Sequence, residues 1–553
     1  MSTAMGNRRV TLAIILMSTL IVVLDNTVLN VAIPTILRDF HTTVPTLEWV
    51  ITGYALTFAT LLIIGGRLGD LYGSRRMFII GAGIFATGSL LAALSWNVGS
   101  LILGEAVIEG IGASMMLPAT LSLLSTNFQG RDRAAAFAAW GAMAGSAAGL
   151  GPLVGGFLTT DVSWRWSFGI NVIIAPLAMV GAFLFIAPPP RRPGAAREPI
   201  DFVGAALIAT GMFSLVFALS EGGTYGWFTA IGDVRIGPWT VWPSSRPVSI
   251  VPVVFLLSFV LLGCFYRYER RREAPLFQFD LLAHRTFRYG LLATVVLAMG
   301  QFGMVLCLAL FLQESLHLTA LQNGLWMLPF GALILMGAPV GGRLAMRINT
   351  VSVVRIGLAC QTVALVYLAS VLSTHTVFLQ LLPGLVVYGI GSGFAMSQLT
   401  NVVLSEIPLD RSGVASGTNT TVRQVGSALG IAVIGTVVTT QTINHASSAI
   451  RSSTLAAGVQ QAAVDRVHVM GASYAPAPGA PSAATHELTA IVARAVASAS
   501  HDAILFAAAT LVIGTGLSML IPTRPARAPA ATTEQELAAL APIDAEAAIE
   551  GLA

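Results

Sequence analysis

The sequence predicts an all-α polytopic membrane protein: two six-helix halves related as a parallel repeat, plus two inserted helices, fourteen transmembrane helices in total. Three observations carry this expectation. Hydrophobic residues make up 55% of the 553 positions and charged residues only 10%, with a mean hydropathy of +0.78, where a soluble domain carries about 25% charged residues. Apolar runs of about 20 residues, enough to cross a bilayer, recur almost without pause. Short motifs return in order at a nearly constant offset.

The apolar runs lie near 10–33, 46–67, 77–95, 100–124, 134–158, 166–187, 202–220, 248–266, 288–312, 323–345, 353–372, 378–402, 412–440 and 503–521. The first follows Arg8 and Arg9 as a signal peptide would. It is too long for one and has no small-residue cleavage site after it, so it reads as a retained span. An even count puts both termini on one side. All thirty basic residues are Arg, and threading the loops alternately places twenty-one on the side of the termini and seven on the other. Positive charge marks the cytoplasmic side, so both termini are expected to be cytoplasmic, in a bacterial cell (inner) membrane.

The repeat is read from three pairs. Gly65-Gly66-Arg67-Leu68 returns as Gly341-Gly342-Arg343-Leu344, Gly110-Ile111-Gly112 as Gly389-Ile390-Gly391, and Asp132-Arg133 as Asp410-Arg411, at offsets of 276, 279 and 278 residues. Both copies fall in spans of the same direction, which suits transporters made of two six-span halves about an axis normal to the membrane. The expected organisation is an N-terminal half at 1–200, two inserted helices with linkers at 201–285, and a C-terminal half at 286–521. An Ala-, Ser- and Pro-rich extracytoplasmic loop is expected at 441–502, with an amphipathic helix near 485–500. An acidic cytoplasmic tail at 522–553 is expected to be disordered.

Within the first span, Asp25 is the costliest residue in the chain. An ionisable group at that depth must be paired, protonated or in contact with water. Asn26 and Asn30 add a polar stripe. In the fourth span, Glu105 and Glu109 are four apart and share a helix face. Asp25 and Glu109 both lie roughly 13 Å below the outer end of their spans at 1.5 Å per residue. Carboxylates brought close together in a low dielectric cannot all be ionised, which suits proton exchange. Glu105 is near enough to the interface that it could equally be hydrated and idle.

The first inner loop reads Gly66-Arg67-Leu68-Gly69-Asp70-Leu71-Tyr72-Gly73-Ser74-Arg75-Arg76. Asp70 can accept from the N-terminus of a neighbouring helix, where the macrodipole favours an anion, and Arg75 and Arg76 can add a second contact at the same seam. Gly73 permits a tight turn. Such a cluster could latch one side of the molecule. In the fifth span, small residues through Gly151, Gly155 and Gly156 allow close helix approach, and Pro152 removes a backbone hydrogen bond, so this span is a plausible hinge.

These segments resemble the major facilitator superfamily. The loop is similar to its hallmark loop, and Leu24-Asp25-Asn26-Thr27-Val28-Leu29-Asn30-Val31-Ala32-Ile33-Pro34 resembles the first-span motif of its drug:proton antiporters. The run Gly145-Ser146-Ala147-Ala148-Gly149-Leu150-Gly151-Pro152-Leu153-Val154-Gly155-Gly156 resembles the fifth-span antiporter motif. Trp164-Arg165-Trp166-Ser167-Phe168-Gly169-Ile170-Asn171-Val172 and Gly417-Thr418-Asn419-Thr420-Thr421-Val422-Arg423-Gln424-Val425-Gly426 resemble segments of the fourteen-span branch. The resemblance implies alternating access, multidrug efflux and antibiotic resistance, with the first and fourth spans lining a central cavity. The chain departs from the pattern at Leu71 and Ser74, where Arg is common. It departs again in the fourth span, where Ala106-Val107-Ile108-Glu109-Gly110 replaces Arg-x-x-Gln-Gly. Arg423, mid-span, could be the displaced counter-ion or could only fix packing.

Mid-span polar, aromatic and Met residues are the expected substrate surface: Asn26, Asn30, Gln301, Phe302, Met304, Trp326, Gln398, Asn401, Asn419 and Arg423. Flexible Met and aromatic walls suit varied ligands. The leading expectation is a proton-coupled exporter of small lipophilic drug-like compounds, cationic ones included, acting as a monomer among membrane lipids. Export of an endogenous lipid or secondary metabolite is the alternative, and nutrient symport is disfavoured by the fifth-span motif. A membrane enzyme would need clustered His, Cys or nucleophiles, yet the eight His are scattered. A P-loop needs Lys, which the chain lacks. Cys264, Cys307 and Cys360 all fall in apolar runs without metal spacing. No cofactor, metal or nucleic acid is expected.

Overall fold

The computed structural model describes residues 2–40, 44–187, 201–236, 239–272, 275–408, 411–470 and 482–523. The expectation for the tail therefore falls almost wholly outside the described residues. The helices are α1 (Ser2–Phe40), α2 (Val44–Tyr72), α3 (Ser74–Ala93), α4 (Val98–Asn127), α5 (Gly130–Phe157), α6 (Trp166–Phe185), α7 (Phe202–Tyr225) and α8 (Ile250–Glu269). They continue as α9 (Arg285–Ser315), α10 (Ala320–Ala345), α11 (Thr350–Val371), α12 (Phe378–Val403), α13 (Ser412–Arg451), α14 (Ala457–Met470) and α15 (Ser482–Met519). Twelve of them, α2–α4, α6–α13 and α15, are long and apolar enough to cross a bilayer. The helices α1 and α5, at 39 and 28 residues, have the length.

Local chemistry sets several helix starts. Thr319 and Gln322 form a reciprocal capping box at α10, each side chain accepting from the other's backbone N–H. Asn349 caps α11 by accepting from Ser352 N–H at 2.7 Å. The turn between α2 and α3 is the single residue Gly73, at φ 93°, a conformation that side chains disfavour.

The two sets of helices pack by one plan. In the first, α1 packs on α5 and α6, α2 on α4, and α3 on α4 and α6; in the second, α9 packs on α13 and α15, α10 on α12, and α11 on α12 and α15. The repeated Gly-Ile-Gly explains itself here. A Cβ on Gly110 would meet Thr57 of α2, and one on Gly112 would meet the Phe85 backbone nitrogen of α3 at 2.4 Å. Likewise Gly389 faces Phe330 of α10, and a Cβ on Gly391 would meet the Gly357 carbonyl of α11 at 2.7 Å. Each Gly-Ile-Gly is thus the point where one helix touches two others at backbone distance.

The sets meet along α2–α13, α4–α13, α5–α10 and α5–α12. Gly66 and Gly413 approach so closely that a Cβ on either would lie within 2.3 Å of the other's carbonyl oxygen. At the same seam Asp70 caps α13: its carboxylate accepts from the N–H groups of Gly413 at 2.6 Å and Val414 at 2.8 Å. Hydroxyls of Ser74, Ser122 and Ser412 continue the seam, at 2.6 and 2.7 Å between neighbours. Arg75 does not join it. Its guanidinium donates to the carbonyls of Ala182 and Phe183 in the last turn of α6, within its own half; the Ala182 carbonyl also accepts from the cap N–H of Ile186. Arg76 is exposed.

The inserted pair α7–α8 packs together and rests on α2 and α13 through α7, with Trp49 and Phe217 stacked at 6.2 Å. Asp201 caps α7 by accepting from Gly204 N–H and also binds the Tyr268 hydroxyl and Arg272. Burial alone would raise its carboxyl, but these partners outweigh burial and hold it below the ordinary aspartate range. Between α7 and α8 lies an unforeseen hairpin, β1 (Val234–Ile236) and β2 (Trp239–Trp242).

The expected loop at 441–502 is mostly helix: α13 runs on to Arg451, α14 occupies 457–470, and α15 begins at Ser482. Its Ala-rich stretches have the highest helix propensity of any composition, and α13 and α15 pack on each other.

Two outcomes are expected from this packing. Gly112→Val should cost about 3 kcal/mol or more, because the clash is with backbone that cannot yield; thermal unfolding in detergent checks this against the exposed control Leu177→Val. Asp70→Leu should lower stability by about 1–2 kcal/mol through loss of the cap, while Asp70→Asn, a comparable capping residue, should retain most of it.

Candidate functional site

Asp25, Glu105 and Glu109 come together. One carboxyl oxygen from each lies within 4.8 Å of the other two, and the residues are 4%, 1% and 0% exposed, so bulk water does not solvate them. Asn171, 1% exposed, sits among them: its Nδ2 donates to Asp25 Oδ1 at 2.8 Å and to Glu109 Oε1 at 3.1 Å. The second oxygens of all three carboxyls, and the Ser89 hydroxyl, have no hydrogen-bond partner among the described residues.

Local structure explains how they meet. Residues Ile102–Glu109 form a π-helical segment inside α4, a rare widening that is frequent at functional sites. It carries both Glu residues on one face. Opposite it, α3 lies at backbone distance: a Cβ on Gly88 would meet the Glu109 nitrogen at 2.5 Å, and one on Gly104 would meet the Ala92 nitrogen at 2.7 Å. Helix α6, which supplies Asn171, is pinned at both ends. Trp164 Nε1 and Arg165 hold Asp39 at the end of α1, and Arg75 holds the other end.

Three carboxyl groups carry six oxygens, and Asn171 serves two of them. Three adjacent buried anions would each bear a large desolvation cost with mutual repulsion added. A carboxylic O–H removes a charge and supplies the donor its neighbour lacks. The arrangement thus has unfilled hydrogen-bonding capacity that carboxyl protons would fill. The three oxygens could also approach a hard cation, but Asn171 presents its NH2 to them, a face that suits carboxyl groups rather than a metal ion.

Asn171 is the site residue that sequence reasoning did not single out. The signal was present: an amide in the highly apolar α6, inside the Trp164–Val172 motif. The other expected residues are dispersed. Gln301, Gln398, Asn401 and Asn419 are buried, Met304 is fully enclosed in the apolar core, and Phe302 is half-buried. Asn419 Oδ1 accepts from Thr294 at 3.4 Å, and Trp326 packs on Phe378 at 5.5 Å. Asn26, Asn30 and Pro152 have side chains outside the described residues. Gly151 is buried, a Cβ on Gly155 would meet the Val28 carbonyl of α1 at 2.8 Å, and Gly156 faces Leu321 of α10. Arg423 does not reach the carboxyl cluster; its guanidinium lies over the Trp140 ring at 5.4 Å.

Comparison with known proteins agrees with this architecture. The chain is 32% identical over 481 residues to a probable actinorhodin transporter of Streptomyces coelicolor, covering 84% of this chain and 79% of that protein. It is 33% identical to a puromycin resistance protein of Streptomyces alboniger, over 77% and 81% of the two chains. It is 28% identical to the tetracenomycin C resistance and export protein of Streptomyces glaucescens, over 77% and 75%. Among solved structures, the human organic anion transporter MFSD10 superposes with a TM-score of 0.57 at 13% identity, covering 92% of this chain and 99% of that one, a likeness of fold alone. Residues 15–431 match the Major Facilitator Superfamily, so the chain belongs to that superfamily of membrane transporters and is not an enzyme.

Proposed function

We propose that the protein is a proton-coupled antiporter that exports lipophilic drug-like compounds by alternating access. The observation that carries this is the buried cluster of Asp25, Glu105 and Glu109 around Asn171. A group of carboxyls that must hold protons while enclosed, and must release them when opened to water, is a coupling device. Substrate export then uses the proton gradient, with protons and substrate competing for states of the cluster.

In this reading the two sets of helices rock about the α2–α13 and α5–α10 seams. The Asp70 cap and the small-residue contacts at Gly66 and Gly413 close one side, and Gly151, Pro152, Gly155 and Gly156 let α5 flex against α1. The α1 and α5 helices complete fourteen spans, the arginine-rich ends face the cytoplasm, and the protein works as a monomer in the bacterial cell membrane. Export of an endogenous metabolite is the second reading, favoured by the similarity to proteins named for actinorhodin transport and tetracenomycin C export.

The test is transport in proteoliposomes under an imposed pH gradient. Asp25→Asn combined with Glu109→Gln should reduce gradient-driven flux at least tenfold, a change of about 1.4 kcal/mol or more, while counterflow without a gradient persists. Gradient-driven flux at the wild-type rate would refute the coupling role. Asn171→Leu should likewise lower gradient-driven flux, because it removes both hydrogen bonds that hold Asp25 and Glu109 together, whereas Asn171→Gln should restore part of it.

A further inference from the structure

Arg423 and Trp140 are the functional-looking pair that the carboxyl cluster leaves unused. Arg423 lies eleven residues into α13, about 16 Å from its arginine-rich end at 1.5 Å per residue. Glu109 is eighteen residues from the corresponding end of α4, about 27 Å by the same rise. The pair thus occupies a separate level of the molecule, nearer the arginine-rich end.

Trp140 stands on α5 and Arg423 on α13, in opposite halves. Helix α5 packs on α1, α10 and α12, and α13 packs on α2, α4, α9 and α15. The Arg423 side chain reaches across between the halves to place its guanidinium over the Trp140 ring. It is half-buried, and no acidic side chain lies within 4 Å of it among the described residues. Trp140 is fully buried, and its indole N–H has no acceptor among the described residues.

Both groups are hydrogen-bond donors: a guanidinium has five N–H groups and no acceptor, and an indole has one donor only. An indole N–H left without an acceptor in a buried site bears its desolvation cost uncompensated. The ring face offers the cation a modest attraction but no hydrogen bond. A charge and a donor from opposite halves, with no acceptor supplied by the described protein groups, are complementary to one kind of ligand: an anionic or strongly accepting oxygen.

We infer that Arg423 and Trp140 form a subsite for the acidic group of the transported compound, so that the substrates include lipophilic anions. The subsite rests on the efflux reading above and narrows it away from cations. An entering carboxylate or phenolate takes the guanidinium from the ring face and accepts from the two donors, and its apolar body lies between the halves.

The test uses three related xanthene dyes in proteoliposomes under a pH gradient: fluorescein, its methyl ester and a cationic rhodamine. The wild type should export fluorescein. Arg423→Gln should raise the KM for fluorescein about tenfold, the scale of a charged hydrogen bond, and leave that for the rhodamine within about twofold of wild type by the same reasoning. Trp140→Phe, which keeps the ring and removes the N–H, should raise the KM for fluorescein by a smaller factor, and Arg423→Lys should rescue part of the loss. Equal changes for all three dyes would mean that the pair only holds the halves together, and would overturn the inference. So would rhodamine export by the wild type with no fluorescein export. If Arg423→Gln does not fold, Trp140→Phe decides, since it should raise the KM for fluorescein and leave that for the rhodamine unchanged; equal changes for the two dyes refute the subsite. Absence of gradient-driven flux for every dye would instead count against the efflux reading.

Discussion

Placing three carboxyl groups within a few ångströms of one another in an apolar helical bundle is the costliest thing this chain does. Everything around them follows from making that arrangement possible. A transmembrane carboxylate without partners is expensive, and three adjacent ones cannot be kept charged together. The structure responds with an amide from α6 that serves two of them and a π-helical segment that sets Glu105 and Glu109 on one face. Gly88 and Gly104 let α3 close over the site at backbone distance.

In the proposed reading, the halves must be joined by contacts that can also part. Among the contacts at the seams are glycine-on-backbone approaches and a carboxylate cap. Asp70 satisfies orphan N–H groups at the start of α13, which is a directional interaction lost over a short displacement. The Arg423 guanidinium over Trp140 is another contact of this kind. A molecule whose halves meet through such contacts can exchange them for water or ligand without dismantling either half.

Much of this was legible in the sequence. Asp25, Glu105 and Glu109 stand out because charge is rare in apolar runs, and equal depth leads to the expectation that Asp25 and Glu109 meet, while Glu105 stays open between joining them and lying hydrated near the interface. The cap by Asp70 followed from an acidic residue at a helix end facing a helix start. The twofold plan followed from Gly-Ile-Gly recurring at one offset, since only backbone contact demands glycine at paired positions. Other features were not legible. Asn171 is one polar residue in a motif whose role depends on which helices surround it. Arg75 was placed at the wrong seam because a guanidinium finds any nearby terminal carbonyls, and those of α6 are distant in sequence. The segment 441–502 reads from its Ala, Ser and Pro content as a loop with one helix near 485–500, while its Ala-rich stretches extend helix over most of the described part.

The central claim is that the cluster holds protons that leave as substrate is exchanged. The most direct measurement is proton release from detergent-solubilised protein in weakly buffered solution, followed with a pH-sensitive dye as a transported compound is added. The account predicts release from the wild type and none from a variant combining Asp25→Asn, Glu105→Gln and Glu109→Gln that still binds the compound. Equal release from both proteins, or substrate binding by the wild type with no release at any pH between 5 and 9, would contradict it.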